Sequence, residues 1–580
     1  MTFLFRLSAV MMPIAVVTAF AAAARPVPQI VIPQIEKMPK VPHPFKIRDW
    51  KQVTRDWDAL AFDLDAKGQY MPLVWIDRSH INFDEDTFGL YVTIADPRCG
   101  PGVNNGEYHD ALNDIPAVIS ATLVGIDKSN QNGRDWAGMC KAYFNRANGR
   151  NVVLQNQRFF DAWKIGGGYQ IDFWQDVFSN VLFFELASLY PRERDFPEIM
   201  RTVADVFHRA TAVMAVSPRG FGWSNFDFKA MRPVMNKITP KTGQPDVAGA
   251  IAWLEYMAYV KFRDAKYLSA ADTAMRALNG NTENPRYDAL LPYGAYMAAR
   301  MNAKLGRDFN VEKIVNWCFS DDSAPWPGTK VLANKFGDYD VSGLFAVRDR
   351  DRDRAYLMET LRWANSLAPL VRYDARFAHA IGKWMLNAAN AARLFYPEEV
   401  PVSNQSAAEF KSLARNVIAY EAMTTKDGAI RAERDEWQST REDGSAYVFP
   451  KVSQLSLYNS AHVGIFGAII SRTDDDKILQ LDCIKTDYFH GPAYPTYLYY
   501  NPHGEEKTVR LDVGRTPVNI YDCVSRSFVQ RGAVGSTRIR IQPDAAAVQV
   551  LVPASAELTR VGNKLLAGGV VVDYSASVNP

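Results

Sequence analysis

The chain has 580 residues, 48% of them hydrophobic and 22% charged, a balance that supports a large buried core and excludes an intrinsically disordered polymer. Lys and Arg number 66 against 64 acidic residues, so the formal net charge of +2 leaves no electrostatic footprint for DNA or RNA. Aromatic residues reach 12%, with 13 Trp, 26 Tyr and 31 Phe, many of them beside Asp, Asn or Gly rather than inside apolar runs.

Residues 1–24 place Arg6 before an apolar run from Leu7 to Phe20 and finish in Ala21 to Ala24. Charge, apolar stretch and small residues in that order form an export signal. An uncleaved anchor is the competing reading, but the run is short for a span and Pro13 interrupts it. No later run reaches membrane-spanning length, so the expected product is an exported periplasmic or extracellular protein without a membrane span. Residues 25–49 hold prolines at 26, 28, 33, 39, 42 and 44, which blocks helix and predicts an extended arm.

From Trp50 to about residue 150, alternating apolar stretches at Met71 to Ile76 and Leu90 to Ile94 precede a helical run from Ala111 to Val124. Beyond residue 170 the texture becomes repetitive: Asp172 to Leu189 is apolar nearly all round, Pro197 to Val213 is amphipathic, and Asp246 to Phe262 carries Val247, Ile251, Leu254 and Met257 at helical spacing. Further helices are predicted at Lys266 to Leu278, Tyr287 to Lys304, Val311 to Phe319, Asp353 to Leu367 and Asp374 to Phe395. Helices apolar all round alternating with single-stripe helices suit two concentric rings, since an inner ring has no solvent face. One more helix pair is expected around Ala407 to Ala422 and Ser460 to Ile470, with the charged segment Thr424 to Ser445 as an exposed loop. The alternating run Arg348 to Arg354 reads as a self-paired surface turn.

After residue 480 short segments rich in Val, Ile, Thr and Tyr, such as Lys507 to Val513, Thr537 to Ile541 and Ala547 to Val552, are punctuated by Gly, Pro, Asn and Asp, as in an antiparallel sandwich. The predicted organisation is a signal at 1–24, an arm at 25–49, a mainly α domain at 50–478 and a β-domain at 479–580. Cys99 with Cys140, and Cys483 with Cys523, bracket segments that disulfides would close, leaving Cys318 odd; reduced buried thiols are the competing reading.

Several stretches carry a resemblance: Asp172-Phe-Trp-Gln-Asp176, Gln244-Pro-Asp-Val-Ala-Gly249 opening a helix with Trp253 and Tyr256, Gly337-Asp-Tyr-Asp340, and the tail motifs Tyr497-Leu-Tyr-Tyr-Asn-Pro502 and Val518-Asn-Ile-Tyr-Asp522. Over roughly residues 150 to 575 the chain resembles the six-hairpin (α/α)-toroid carbohydrate-active enzymes, a group of glycoside hydrolases and polysaccharide lyases. The resemblance implies an (α/α) toroid followed by a C-terminal antiparallel β-sandwich, a cleft formed by the loops that lead into the inner helices, and an oligo- or polysaccharide substrate. It transfers no catalytic positions.

Glycoside hydrolysis needs two carboxyl groups, one protonated and one ionised, and no metal or other cofactor is expected. Asp172, after the flexible Gly166 to Gly168 and before Trp174, is the first catalytic candidate, with helix capping as the alternative; Asp176 lies one turn on. Asp340 is the second, in a loop with Asp338 and Tyr339, and Glu421, in a predicted apolar helix beside Tyr420, is the third. Asp246 reads as a cap. Lyase chemistry would instead draw on Tyr458, His462, His490 and a carboxylate grip from Arg376 with Arg372. Sugar contacts are expected from Trp174, Trp223 with Asn225 and Asp227, and Tyr339. The leading expectation is a hydrolase; the alternatives are a uronate lyase and a non-catalytic glycan-binding protein. No HExxH, P-loop, GxSxG or dinucleotide motif occurs.

Overall fold

A computed structural model describes residues 25–68, 71–91, 110–154, 172–235, 242–349, 351–406, 416–417, 419–433, 439–440, 446–447 and 457–575. The export segment, Cys99 and Gly166 to Gly168 lie outside the described residues.

Helices follow the expected order, each outer helix leading into an inner one. Six such pairs run α1 (Trp50–Ala61) to α2 (Ala111–Leu123), the short α3 (Trp136–Met139) to α4 (Phe173–Leu189), α5 (Phe196–Ala215) to α6 (Val247–Phe262), α7 (Ala265–Gly280) to α8 (Leu291–Leu305), α9 (Val311–Phe319) to α10 (Leu357–Tyr373), and α11 (Ala378–Ala392) to the broken pair α12 (Leu457–His462) and α13 (Gly464–Ile469). Helix α2 packs on α4, α4 on α6, α6 on α8, α8 on α10, α10 on α12 and α13, and these on α2, so the inner set closes into a ring. This is the (α/α) toroid. The burial patterns explain it: every residue of α6 from Val247 to Ala258 is buried, whereas α7 buries a stripe of Tyr267, Ala270, Ala271, Ala274, Met275 and Leu278. Side chains such as Asp49, Asp110, Asp264 and Asn310 start individual helices by accepting a first-turn backbone N–H.

Close approach of α6 and α8 depends on two glycines. A Cβ added to Gly249 would stand 2.6 Å from the Cα of Gly294, with backbone rather than a pliable side chain in the way. We therefore expect Gly249→Ala to push the two helices apart and cost about 1–3 kcal/mol, read as a lowered urea midpoint at unchanged slope.

Several connections into the inner helices carry strands. Strands β1 (Val74–Asp77) and β2 (Thr87–Leu90) pair between α1 and α2, and Asn225–Asp227 pairs with Arg232–Val234 between α5 and α6. Strands β3 (Lys330–Val331), β4 (Phe345–Asp349), β5 (Arg352–Tyr356), β6 (Ala422–Lys426) and β7 (Ala429–Glu433) form one sheet in the order β7-β6-β5-β4-β3. This corrects two expectations. Residues 419–421 are not helical, so Glu421 stands at the start of a strand rather than in an apolar helix, and the charged segment begins as a hairpin. Ile430 and Ala432 alternate into the core around Arg431, while Ala422, Met423 and Thr424 on the partner strand are all buried, a burial that the flanking charges masked in the sequence. The Arg348 to Arg354 run is the tip of the β4–β5 hairpin, with Arg348 Nη1 3.2 Å from Asp353 Oδ1.

The C-terminal part is a sandwich. Strands β8 (Ile470–Arg472), β9 (Leu479–Asp482), β10 (Thr496–Asn501), β12 (Val518–Asp522), β13 (Ser527–Ala533) and β15 (Ala545–Pro553) form an antiparallel sheet in the order β8-β9-β10-β15-β12-β13. The β11 (Lys507–Asp512) and β14 (Ser536–Ile541) ribbon covers one face through Tyr499, Val509, Leu511, Ile520, Ile539 and Ile541. The other face lies on α11, where Gly382 leaves room for Tyr500. Cys140, Cys318, Cys483 and Cys523 are buried free thiols. Cys483 and Cys523, expected as a pair, follow β9 and β12, between which β10 and β15 lie in the sheet, and both are free. The proline-rich arm is extended apart from one helical turn at Pro33–Glu36, and runs from Val524 across α11 to Arg393. No helix among the described residues is long and apolar enough to cross a membrane.

Candidate active site at the mouth of the toroid

The N-termini of the inner helices meet at one end of the ring. Tyr287, just before α8, donates its hydroxyl to Asp172 Oδ2 at the start of α4 (3.1 Å). Trp174 N donates to Gln244 Oε1 ahead of α6 (2.8 Å), and Asp246 Oδ2 accepts Tyr287 N (3.0 Å) and Asp288 N (3.3 Å). Met358 N on α10 donates to Asn459 Oδ1 on α12 (2.9 Å), and the Tyr458 hydroxyl donates to Asp110 Oδ2 at α2. Helix N-termini carry partial positive charge, which is why acids gather here: Asp110, Asp172, Asp246 and Asp288 precede inner helices and Glu359 lies in a first turn.

The acids do not titrate alike. Asp288 is buried, its Oδ1 has no hydrogen-bond partner among the described residues, and burial with the charges of Glu359, Asp246 and Asp172 lifts its pKa well above the carboxylate range. Asp176 is raised in the same direction by burial, against the pull of Arg150. Burial lifts Asp246 to about 6 despite its two backbone donors. Burial, then the Asp172 charge, keep the Tyr287 hydroxyl protonated, so it donates to Asp172. One consequence concerns stability. A carboxyl whose folded pKa is raised binds its proton more tightly when folded, so its contribution is fully present below about pH 4 and is lost as pH rises. For Asp246 that window runs from about pH 4 to about 6, and Asp246→Asn is expected to flatten the decline of unfolding free energy across it.

Below the mouth, Glu185 on α4 accepts both its carboxylate bonds from Arg362 Nη2 on α10 (2.8 and 2.7 Å) and further bonds from Tyr293 (2.8 Å) and Asn365 (2.8 Å). The far end of the ring is closed by the loop after β9, whose Asp487 takes Arg300, Arg372, Tyr296 and Tyr373.

The structure brings together only some of the residues singled out from sequence. Asp172 and Asp176 stand at the mouth. Trp174 is there too but buried against Phe178, ring centroids 6.1 Å apart, which leaves no open face for a sugar. Trp223 and Asn225 lie on the neighbouring connection; Trp223 Nε1 donates to Ser217 Oγ (2.9 Å) and Asn225 is buried with its Oδ1 accepting Phe226 N. Glu421 reaches the mouth through its backbone, whose carbonyl accepts Asn459 Nδ2 (3.2 Å). Asp338, Tyr339 and Asp340 are elsewhere: they form the Lys335–Phe336 and Tyr339–Asp340 hairpin against the arm, with Asp340 N bonded to His43 O (3.1 Å) and its carboxylate turned onto Ser342 N (3.0 Å). Arg376 and His490 lie at the opposite end of the ring, because Arg376 follows the C-terminus of α10, where it pairs with Asp374 (2.6 Å), and the His490 loop caps the base, its carbonyl accepting Lys304 Nζ (3.3 Å). His462 is fully enclosed: Nε2–H donates to Leu112 O (2.9 Å), the ring stacks on Phe178 at 6.2 Å, and burial with the Arg362 charge holds it neutral. Asp288 and Glu359 were missed. Their signal is the recurrence of an acid at the start of successive inner helices, visible only once the inner helices are distinguished from the outer ones.

No protein-family model and no curated protein sequence matches the chain. Among solved structures, the chain is similar to a GH127 β-L-arabinofuranosidase from Geobacillus stearothermophilus T6, at 11% identity over 91% of this chain and 85% of that one, with a TM-score of 0.31. It is also similar to the cellobiose 2-epimerase of Bacillus thermoamylovorans B4167, at 8% identity over 72% and 98% of the two chains and a TM-score of 0.40. A sugar epimerase from a ruminal bacterium shares 10% identity over 76% and 98%, with a TM-score of 0.36. At these values the fold assignment rests on the closed ring of inner helices itself.

Proposed function

We propose that the protein is a secreted glycoside hydrolase whose active site is the mouth of the toroid. One observation carries the reading: Asp288, kept protonated by burial and by neighbouring acid charge, stands among Asp172, Asp246 and Glu359 where the inner helix N-termini converge. A proton-holding carboxyl beside ionisable ones is the arrangement that splits a glycosidic bond. Asp288 gives its proton to the departing sugar oxygen. Asp172, oriented by the Tyr287 hydroxyl, takes the proton of the attacking water, and Glu359 holds the proton on Asp288 before substrate arrives. The lyase alternative loses support with Arg376 and His490 at the other end of the ring and His462 enclosed. Incubating the purified protein with a panel of polysaccharides tests the reading: new reducing ends without ultraviolet-absorbing unsaturated sugars are expected. Unsaturated products would favour the lyase, and binding without product a glycan-binding protein. Export is part of the proposal, supported by the pattern of residues 1–24; N-terminal sequencing of periplasmic material checks it, with a mature start near residue 25 expected.

A further inference from the structure

Among the described tryptophans only Trp223 and Trp326 escape burial, and the Trp223 indole N–H is taken by Ser217 Oγ (2.9 Å). Trp326 keeps its indole N–H without a partner among the described residues and is half-buried against Tyr287, ring centroids 5.2 Å apart. One tyrosine therefore separates it from Asp172, which accepts the Tyr287 hydroxyl. The Trp326 loop is clamped to the chain leading into α8: Ala324 N donates to Asn284 O (3.0 Å), Ser323 Oγ donates to Arg286 O, and Trp326 N donates to Ser323 Oγ (3.2 Å). Thr329, whose Oγ1 donates to Trp326 O (3.0 Å), also receives the Arg286 guanidinium. Beside the same loop lies a pocket of about 370 Å³ walled by Pro245 ahead of α6, Pro285 ahead of α8 and Pro325, with Asn281 and Glu283 among its other lining residues. Prolines offer apolar ring faces and no N–H donor. Glu283 is the single charged residue that lines the pocket, and it is exposed with no ion pair among the described residues. We propose that Trp326 is the stacking platform of a subsite for a neutral sugar unit next to the cleaved bond, a subsite that continues into this pocket. The inference rests on the reading of the mouth as the active site and names its substrate class. An indole face suits the C–H groups on one side of a sugar ring, and its N–H a hydroxyl at the edge. The Glu283 carboxylate accepts hydroxyl protons but repels a uronate or a sulfate.

The test is calorimetric titration of the whole protein with neutral hexasaccharides of glucose, galactose and mannose and with their C6-oxidised uronate counterparts. At least one neutral form is expected to bind, about tenfold more tightly than its uronate counterpart. Trp326→Ala is expected to lower that affinity about tenfold, and Trp326→Phe, which keeps a flat ring, to retain most of it. Glu283→Gln, at an exposed position, is expected to narrow the gap between the neutral and uronate forms. Equal or tighter uronate binding, undiminished neutral affinity in Trp326→Ala, a gap unmoved by Glu283→Gln, or no binding of any neutral form would each overturn the subsite. The unsubstituted protein and Glu283→Gln decide the matter even where Trp326→Ala does not fold. Reducing-end release by Trp326→Ala at an unchanged KM would overturn the subsite and keep the hydrolase; Trp326-dependent binding of a neutral form without any product would keep the subsite and remove the hydrolase.

Discussion

Replacing Asp288 by Asn is expected to lower kcat on a responsive glycan by about 10²–10⁴, the range of general acid catalysis, while the folded circular dichroism spectrum persists. The amide is nearly the same size and loses only the transferable proton. Since Asp288 works in its protonated form, activity falls as pH rises through its raised pKa and forms the basic limb of the kcat/KM profile. Glu359 acts through Asp288, because its charge is the largest electrostatic contribution after burial holding that proton in place. Glu359→Gln is therefore expected to move the basic limb to lower pH, a displacement that simple loss of packing would not produce. A full-rate Asp288→Asn enzyme, or a basic limb unmoved by Glu359→Gln, would remove this assignment.

The second large effect lies in the floor of the ring. Glu185 and Arg362 are almost completely enclosed, and Arg362 Nη2 contacts both carboxylate oxygens. Arg362→Met leaves Glu185 charged and buried with only Tyr293 and Asn365 as donors, and removal of one partner of such a pair costs about 3–5 kcal/mol. Chemical denaturation measures it. The double variant Glu185→Gln with Arg362→Met is expected to recover part of the loss, since no uncompensated charge remains; a loss additive over both sites would contradict the pairing. Arg362 also stands 4.9 Å over the Phe178 ring that stacks on His462, so the same variant is expected to raise the His462 pKa, which carbon or nitrogen chemical shifts of the imidazole report.

Sequence alone determined the elements and much of their layering. The alternation of helices apolar nearly all round, such as Phe173–Leu189, with amphipathic helices such as Phe196–Ala215 pointed to an inner and an outer layer, because burial on all sides is written into each helix's own residues. Short strands with period-2 burial, as in Lys507–Asp512, announced the sandwich the same way. Asp172 was legible because a glycine run and a tryptophan flank it locally. Only the tertiary structure decided which carboxyls share a site. Asp172, Asp246, Asp288 and Glu359 stand on four separate connections and meet because the ring closes; nothing within a few residues of Asp288 sets it apart from a solvated loop acid. Asp340 carried the stronger local signal, flanked by Tyr339 and Gly337, yet its hairpin packs on the proline-rich arm and its carboxylate bonds Ser342. The residues that raise a carboxyl's pKa are neighbours in space and distant in chain, so proton-holding character at Asp288 emerges only when burial and three other acids are placed around it.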